Sequence, residues 1–224
     1  MPYRRTENVV RRQAARHDAI IAAARATASE GGMAAVQIAP VAARASIAAG
    51  TVYRYFPAKS DLVAALLAEI SAREIAALRN AGDAAPGPLS ALAAAIMTFA
   101  TRALRSRRLA FAAIAEPVDA EAEAARLALR EALAAEFSAR IAAAMTAGRL
   151  PEQDPALAAA AVVGLLVEGL IGPLAPKASG RERETVQSLT LAALRALGVA
   201  DARARGLVVQ TTLPAYGDAA GQSS

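Results

Sequence analysis

The sequence contains no cysteine and no tryptophan, and His17 is its only histidine. The missing thiols exclude disulfide bonds, thiolate metal sites and cysteine nucleophiles. His17 falls in a basic N-terminal segment, where a surface position is expected rather than a general base. The sequence also lacks a phosphate-binding GxxxxGK[ST] motif, a cluster of metal ligands and a Ser/His/Asp set. We therefore expect no enzyme activity, no cofactor and no metal site.

No long apolar run opens the chain, because the first residues, MPYRRTENVVRRQAARHD, are basic and polar. This start gives no sign of a signal peptide. Only residues 155–176 approach the length of a membrane-spanning helix. Their high alanine content and Glu168, which would cost roughly 2.5–3.5 kcal/mol inside a bilayer, favour a helix buried on most sides within the protein. We expect no membrane partner and a cytoplasmic location.

Alanine supplies much of the apolar content, which is 55% of the residues. It is the best helix former because it loses no side-chain entropy on ordering. Long Ala/Leu/Arg/Glu stretches with few β-branched runs therefore predict an all-α protein. The predicted helices cover about 12–29, 40–45, 49–55, 58–79, 89–104, a short segment after 106–108, 119–147, 155–171 and 181–197.

Positive charge is concentrated at the N-terminal end. Residues 1–62 carry nine lysines and arginines against four acids, which equals the whole net charge of +5. The remaining residues therefore have no net charge. Such asymmetry indicates a nucleic-acid or other anionic partner for the first quarter of the chain, although a solvated arm would give the same count.

Three of the eight Phe and Tyr residues fall within the four positions 53–56, which read YRYF. They end the second of two short predicted helices joined by a tight turn, the pattern of a helix-turn-helix. In that motif the second helix lies in the DNA major groove and the first braces it. Val41, Ile47, Val52 and Phe56 are spaced to hold the two helices together, with Phe56 as the core anchor.

The remaining side chains around the second helix suit a polyanion. Hydroxyl groups of threonine and tyrosine can bond phosphate oxygens, and Arg54 can pair with phosphate or guanine. Lys59 falls in the first turn of the next helix, where the dipole also favours an anion. The predicted DNA-binding residues are Gln37, Arg44, Ala49, Gly50, Thr51, Tyr53, Arg54, Tyr55 and Lys59.

Residues 41–62, VAARASIAAGTVYRYFPAKSDL, resemble the DNA-binding signature of TetR-type bacterial transcriptional regulators, the TetR/AcrR-like family. Three positions depart from that pattern: Ser46 stands where the turn usually has glycine, Ala48 where the second helix usually has a serine cap, and Gln37 where threonine or serine often precedes the first helix. Each missing cap should cost roughly 0.5–2 kcal/mol. The departures affect expected phosphate contacts rather than the fold.

The resemblance implies an N-terminal three-helix helix-turn-helix domain followed by a C-terminal helical ligand-binding and dimerisation domain. It divides the chain into a flexible basic arm (1–11), the DNA-binding domain (12–62), the effector-binding and dimerisation domain (63–200) and a partly disordered tail (201–224). Within the tail, LVVQTTL could form a short strand or a docked segment.

The resemblance also implies partners: double-stranded DNA with a near-palindromic operator, a second copy of the chain, and a small apolar effector that releases the repressor. An activator, or a helical protein–protein adaptor without sequence-specific DNA binding, remains as an alternative. The expected effector pocket residues are Phe99, Phe111, Phe137, Met145, Leu166 and Glu168. The expected dimer contacts are Ala158, Ala161, Gly164, Gly169 and Gly172. Glu168 faces either a pocket or an interface.

Overall fold

The computed structural model describes residues 3–175 and 181–211, with side chains from residue 8 onwards. Every element of regular structure in these residues is helical, which confirms the all-α prediction. A short 3₁₀ turn occupies Met33–Ala35. The α-helices are α1 Tyr3–Gly31, α2 Ile38–Arg44, α3 Ala49–Tyr53, α4 Lys59–Asp83, α5 Pro88–Arg105, α6 Arg107–Ile114, α7 Ala120–Thr146, α8 Pro155–Leu174, α9 Glu182–Ala196 and α10 Asp201–Gln210.

Both ends of the described chain are more helical than predicted. Helix α1 begins at Tyr3, so the prediction of a loose arm over residues 1–11 was wrong for residues 3–11. This segment contains several arginines and no glycine, and after Pro2 no proline, so nothing in it stops the helix from continuing. Residues 201–210 form α10, where a disordered tail or a strand was predicted, and residues 212–224 lie outside the described residues.

Helix α10 is held by a short apolar row whose spacing is helical. Ala204, Leu207 and Val208 are buried. Leu207 and Val208 lie three and four positions after Ala204 along the chain. Such spacing places all three side chains on one side of a helix. This signal was present in the sequence, but the Gly/Ala/Ser-rich segment that follows obscured it.

Helix boundaries follow ordinary capping chemistry. The Asp119 carboxylate accepts the N–H of Ala122 at 3.0 Å at the start of α7, and Asp154 accepts the N–H of Ala156 at 2.8 Å at the start of α8. At the other end of α7, Gly148 has a φ of 63°. Only glycine adopts this left-handed conformation without steric cost, so the predicted stop at Gly148 is confirmed.

The side chains form two apolar cores that share α4. The N-terminal core gathers residues from α1, α2 and α3 together with the first half of α4, from Leu62 to Ile70. The C-terminal core takes Ile75 and Leu78 from the second half of α4 and adds residues from α5 and from α7 to α10. The predicted boundary between residues 62 and 63 therefore cuts through the N-terminal core, because α4 runs continuously from one core into the other.

Two further helices belong to both cores: α7, through Ala122 in the N-terminal core, and α6. Ala112 and Ala113 are buried in the N-terminal core, whereas Phe111 packs against the C-terminal core. Ile114 contacts both. A movement of α6 would therefore disturb the packing of both cores.

On one side of their contact, helices α4 and α7 present a surface made mostly of alanine, which we call the alanine contact. An open groove follows this contact. Alanine lets the two helix backbones come close, because its side chain is a single methyl group. The groove is lined by Ala68, Ser71, Ala72, Ile75, Ala76, Arg79, Ala125, Ala128, Leu129 and Ala132.

Helix α8 is long and apolar enough to cross a membrane by length and composition, and 39% of its most apolar window is buried within the chain. The prediction that it is buried on most sides was therefore wrong for a single chain. One stripe of the helix is solvent-exposed in this structure, with Leu157 at 70% exposure. The other exposed members of the stripe are Ala161, Gly164, Glu168 and Gly172.

Candidate nucleic-acid interface

The turn between α2 and α3 is tight and contains the one non-glycine residue of the described chain with a positive φ. Ser46 has a φ of 55°, in the left-handed region. The turn is closed by two backbone hydrogen bonds, from Ser46 N–H to Ala43 O at 3.1 Å and from Ile47 N–H to Ala42 O at 3.0 Å. A glycine would adopt this conformation without the steric cost that Ser46 bears.

Apolar anchors fix α3 on the N-terminal core as predicted. Val41 and Val52 are fully buried, and Phe56 is 4% exposed, so its role as core anchor is confirmed. The ring of His17 lies against this end of the motif, with its centroid 5.3 Å from that of Phe56 and 6.5 Å from that of Tyr55. Helix α1 therefore contacts the segment that directly follows α3.

Three of the predicted DNA contacts stand exposed at the surface of α3 and its C-terminal end. The Tyr53 side chain is 53% exposed, and Arg54 and Gly50 are exposed beside it. Beyond the neighbouring backbone of α3, a Cβ atom added to Gly50 would meet no atom of the described residues within 4 Å. Packing among the described residues therefore does not require the missing side chain at Gly50, which leaves room for another molecule to approach the backbone.

Four other predicted contacts are half-buried, namely Ala49, Thr51, Tyr55 and Lys59. Ala49 and Tyr55 pack against the N-terminal core. Lys59 is the first residue of α4, and there the Asp61 carboxylate already accepts the N–H of Ala58 at 2.9 Å. Because Asp61 places a negative charge at this helix start, the Lys59 ammonium group would supply most of the attraction for an anion there.

The last two predicted contacts, Gln37 and Arg44, are engaged within the chain. Gln37 precedes α2 without capping it, and its Nε2 donates to Ala34 O at 3.1 Å. Arg44 makes a two-pronged ion pair with Glu30, with Nη1 donating to Oε1 at 2.8 Å. Hydrogen bonding from Arg44 lowers the pKa of Glu30, and the same bond raises the pKa of Arg44. The Arg44 guanidinium is therefore held against the end of α1.

A polar joint, absent from the sequence predictions, links the helix-turn-helix domain to α6; we call it the Glu116 joint. The Met33 N–H donates to Glu116 Oε2 at 2.6 Å, and Arg108 pairs with the same carboxylate. Arg108 also donates to Gly31 O at 2.9 Å. A Cβ on Gly32, whose φ is 75°, would lie 2.5 Å from Glu116 Oε1. The joint thus depends on glycine at this position.

Buried Arg126 secures the far side of the Glu116 joint. Its Nε donates to Ala113 O at 2.8 Å and its Nη2 donates to Glu116 O at 2.6 Å, which ties the end of α6 to α7. Met33 and Glu116 are 83 positions apart. No local pattern in a single sequence connects groups so distant, which is why the joint escaped prediction.

In the C-terminal domain, five of the six predicted pocket residues converge on one core. Phe99, Phe137 and Leu166 are buried there, and Phe111 and Met145 pack against it. Glu168 is instead exposed on the open stripe of α8. Of the two alternatives for Glu168, its position in one chain favours an interface.

Two buried hydroxyl groups on α5 have no hydrogen-bond partner among the described residues. They belong to Thr98 and Thr101, and Thr98 is 9% exposed. Most buried hydroxyls are satisfied; Thr190, for example, donates to Val186 O at 2.7 Å. The sequence predictions overlooked both residues, since threonine within a helix carries no distinctive signal.

The predicted dimer contacts on α8 divide into two groups. Ala161, Gly164 and Gly172 are exposed and available to another molecule. Ala158 and Gly169 are half-buried, and a Cβ on Gly169 would lie 2.5 Å from Leu189 Cδ2 of α9. Gly169 therefore serves close packing of α8 on α9 within the chain.

Residues 20–66 match the family model described as bacterial regulatory proteins, tetR family. The HTH-type transcriptional repressor KstR of Rhodococcus jostii (strain RHA1) is 44% identical over 75 residues, which cover 34% of this chain and 34% of that protein. KstR of Mycobacterium tuberculosis (strain ATCC 25618 / H37Rv) is 49% identical over 55 residues, 25% of either chain. The chain matches only about a third of the length of these curated relatives.

Two solved structures share the architecture over most of the chain. RolR in complex with resorcinol superposes with a TM-score of 0.71 at 23% identity, covering 92% of this chain and 98% of that one. FadR from Bacillus subtilis in complex with stearoyl-CoA gives 0.71 at 19% identity, covering 80% and 98%. The predicted resemblance of this chain to TetR-type regulators is confirmed, and so is its two-part helical fold.

Proposed function

We propose that the chain is a transcriptional repressor that binds a near-palindromic operator as a homodimer and leaves it when a small molecule enters the C-terminal core. The observation that carries this proposal is the open face of α3, where Tyr53, Arg54 and Gly50 stand exposed beside the buried anchor Phe56. Its curated relatives are repressors, and they match the same segment.

Two copies of α3 would read two half-sites in successive major grooves, about 34–36 Å apart. The exposed stripe of α8 supports pairing of two chains, because Ala161, Gly164 and Gly172 would allow close helix approach and Glu168 would be covered by the partner. An arginine across the interface would then neutralise the Glu168 carboxylate, as a buried charge requires.

The convergence of Phe99, Phe137 and Leu166 supports an apolar effector site in the C-terminal core. The unpartnered hydroxyls of Thr98 and Thr101 would be satisfied by a polar group on the same molecule. RolR and FadR were each solved with a small organic molecule bound. The effector acts only if it binds the released state more tightly than the DNA-bound state.

The shared helices α4 and α6 provide the route from that core to the DNA-binding domain. An effector that enters the C-terminal core would displace the second half of α4. Because α4 is continuous, its first half would move as well, together with Lys59 and the N-terminal core. A shift of a few ångströms in the spacing of the two α3 helices would prevent both from docking at once. The protein would act in the cytoplasm.

The first test is fluorescence anisotropy on DNA from upstream of the chain's own gene, with scrambled DNA as the reference. Arg54→Ala should weaken binding to the preferred fragment by about 1–3 kcal/mol. Arg130→Ala is the matched control, since Arg130 is also exposed and makes no ion pair with another described residue. Equally weak binding to every fragment, also after selection from random DNA, would favour the protein–protein adaptor instead.

Dimerisation is tested by a charge placed on the open stripe of α8. Ala161→Arg should give a monomer in analytical ultracentrifugation and lose operator binding, whereas Ala135→Arg, on an exposed position of α7, should change neither. A dimeric Ala161→Arg protein would exclude this stripe. A Glu168→Gln protein with unchanged dimerisation and effector response would exclude both roles for Glu168.

A further inference from the structure

Two threonines in the second half of α5 do not make the hydrogen bond that a helix offers them. A serine or threonine within a helix can donate to the backbone carbonyl four positions earlier. That bond is made, at distances between 2.7 and 3.0 Å, by Thr27, Ser29, Thr146 and Thr190. The Oγ1 atoms of Thr98 and Thr101 are buried and have no partner in the part of the chain that the structure describes. Both hydroxyls are therefore available to a polar group from another molecule.

The two hydroxyl groups share one side of α5 with small side chains. Thr101 follows Thr98 by three positions, a spacing that brings the two Cβ atoms to about 5–6 Å. One turn earlier on the same side are Ala94 and Ala95, which are 7% and 0% exposed. Beside Thr98, this side of the helix thus presents only methyl groups on the preceding turn. It combines a buried surface of small residues with two unused hydroxyls.

The charged groups next to these threonines are already paired with each other. Arg102 directly follows Thr101, and its Nε and Nη2 each donate to a Glu74 carboxylate oxygen at 2.8 Å. The side chains of Arg102 and Glu74 are only 19% and 18% exposed. A carboxylate bound here would have to displace Glu74 from Arg102 and leave a poorly solvated charge, which is costly. A neutral oxygen requires no such displacement.

We propose that Thr98 and Thr101 are the polar subsite for a neutral effector, an apolar molecule that carries a hydroxyl or carbonyl oxygen. This inference rests on the proposed function, since it takes the C-terminal core as the effector site. Each threonine hydroxyl has one donor and two acceptor positions. The pair can therefore donate twice to a carbonyl oxygen, or donate once to a ligand hydroxyl and accept once from it. Because both hydroxyls are already removed from water, these bonds form without further desolvation of the protein.

Two matched sets of probes test this ligand class. One set is octane, octanol and octanoate, and the other is propylbenzene, propylphenol and propylbenzoate. Within each set the apolar body is constant, and only a neutral oxygen or an anionic group is added. Affinity is measured on the full chain without DNA, from the rise in melting temperature as each probe is titrated. At pH 7, wild-type protein should bind octanol or propylphenol about tenfold or more tightly than the matching carboxylate.

The decisive variant is Thr98→Val/Thr101→Val, which keeps the shape of both side chains and removes both hydroxyls. It should bind the neutral oxygen probe about fivefold or more weakly than wild type, because the probe's oxygen would be buried without a partner. Its affinity for the matching hydrocarbon should be unchanged. Thr190→Val is the matched control, since it removes a buried hydroxyl that donates to Val186 O, and it should bind every probe as wild type does. Thr98→Ser/Thr101→Ser, which keeps both hydroxyls, should retain binding of the oxygen probe.

Circular dichroism checks that the variants keep the helix content of wild type. If the valine pair melts below Thr190→Val, the single variant Thr98→Val carries the same comparison. The proposal is overturned if the valine variant binds octanol and propylphenol as wild type does, if a carboxylate is the tightest probe of its set, or if no probe binds.

Operator release, measured separately by anisotropy, distinguishes failure of the ligand class from failure of the repressor function. A neutral probe that binds through Thr98 and Thr101 but does not release DNA contradicts the release step of the proposed function and leaves the ligand class standing. A carboxylate that releases DNA from wild type and from the valine variant alike supports the repressor function and overturns the ligand class.

Discussion

Truncation of Glu116 should destabilise the protein well beyond a surface substitution. The Glu116 carboxylate accepts the Met33 N–H at 2.6 Å and pairs with Arg108. Met33 is 2% exposed, so Glu116→Ala leaves a backbone N–H with little access to water. Hydrogen bonds to a charged group contribute roughly 1.5–3 kcal/mol, and a buried unsatisfied donor costs about as much.

Glu116→Ala should lower the free energy of unfolding by about 2 kcal/mol, which is less than the sum of these two contributions. The Glu116 side chain is 14% exposed, so water can enter part of the space left by truncation. Arg108 also keeps its hydrogen bond to Gly31 O. Glu116→Gln should lose about 1 kcal/mol, because its amide oxygen still accepts the Met33 N–H while the charge beside Arg108 is gone.

Urea unfolding at pH 7, followed by circular dichroism, measures these differences, and thermal melting should show a fall of about 4–8 °C for the alanine variant. Glu131→Ala on the exposed side of α7 is the control, expected within about 0.5 kcal/mol of wild type. The reasoning is refuted if Glu116→Ala unfolds at the same urea concentration as Glu131→Ala. Operator affinity measured on the same variants shows whether the joint also positions α3.

Three further variants test local features. Ser46→Gly should raise the free energy of unfolding by up to about 1 kcal/mol. The left-handed conformation costs serine roughly 1–2 kcal/mol, whereas the extra chain entropy that glycine loses on folding costs roughly 0.5–1 kcal/mol. A urea midpoint below that of wild type would contradict this. Thr98→Val should be neutral or stabilising because its hydroxyl is unpartnered, whereas Thr190→Val should lose about 0.5–1.5 kcal/mol; equal losses would show that Thr98 is satisfied. Glu30 has a pKa lowered from 4.5 by Arg44, so its stabilising effect is complete above pH 4.5 and is lost as pH falls through the lowered value. The difference in melting temperature between wild type and Glu30→Gln should therefore be constant from pH 6 to 8 and shrink in acid. A difference in melting temperature that grows below pH 4.5 would refute this direction of the pH dependence.

Local patterns were enough to predict most helices and the anchors of the helix-turn-helix. Phe56, Val41 and Val52 follow a spacing that places them on one side of two short helices, so their burial could be read from the sequence. The stop at Gly148 likewise depends on a single residue's conformational freedom. These features need only neighbouring residues, and neighbours are visible in one sequence.

Features that depend on distant residues or on a partner were not accessible in this way. The Glu116 joint connects groups 83 positions apart. The engagement of Arg44 by Glu30 required knowing how α1 and α2 cross. Glu168 interrupts an apolar row, which signals a special position, but only the packing of α8 shows which way it points. The helical start of α1 was not predicted, because an exposed basic segment was expected to be disordered.

The alanine contact between α4 and α7 has a mechanical consequence. Interlocked leucine or isoleucine side chains resist sliding, because each must change rotamer before it can pass its neighbour. Ala72, Ala76, Ala125 and Ala128 have no rotamers to change. Along this groove the alanines therefore offer no rotamer barrier to a shift of α4 past α7, and resistance to such a shear motion is left to the buried Ile75 and Leu129 and to the ion pair of Arg79 with Glu136. The composition that makes this chain helical thus leaves few side chains on this side to hold α4 in register with α7.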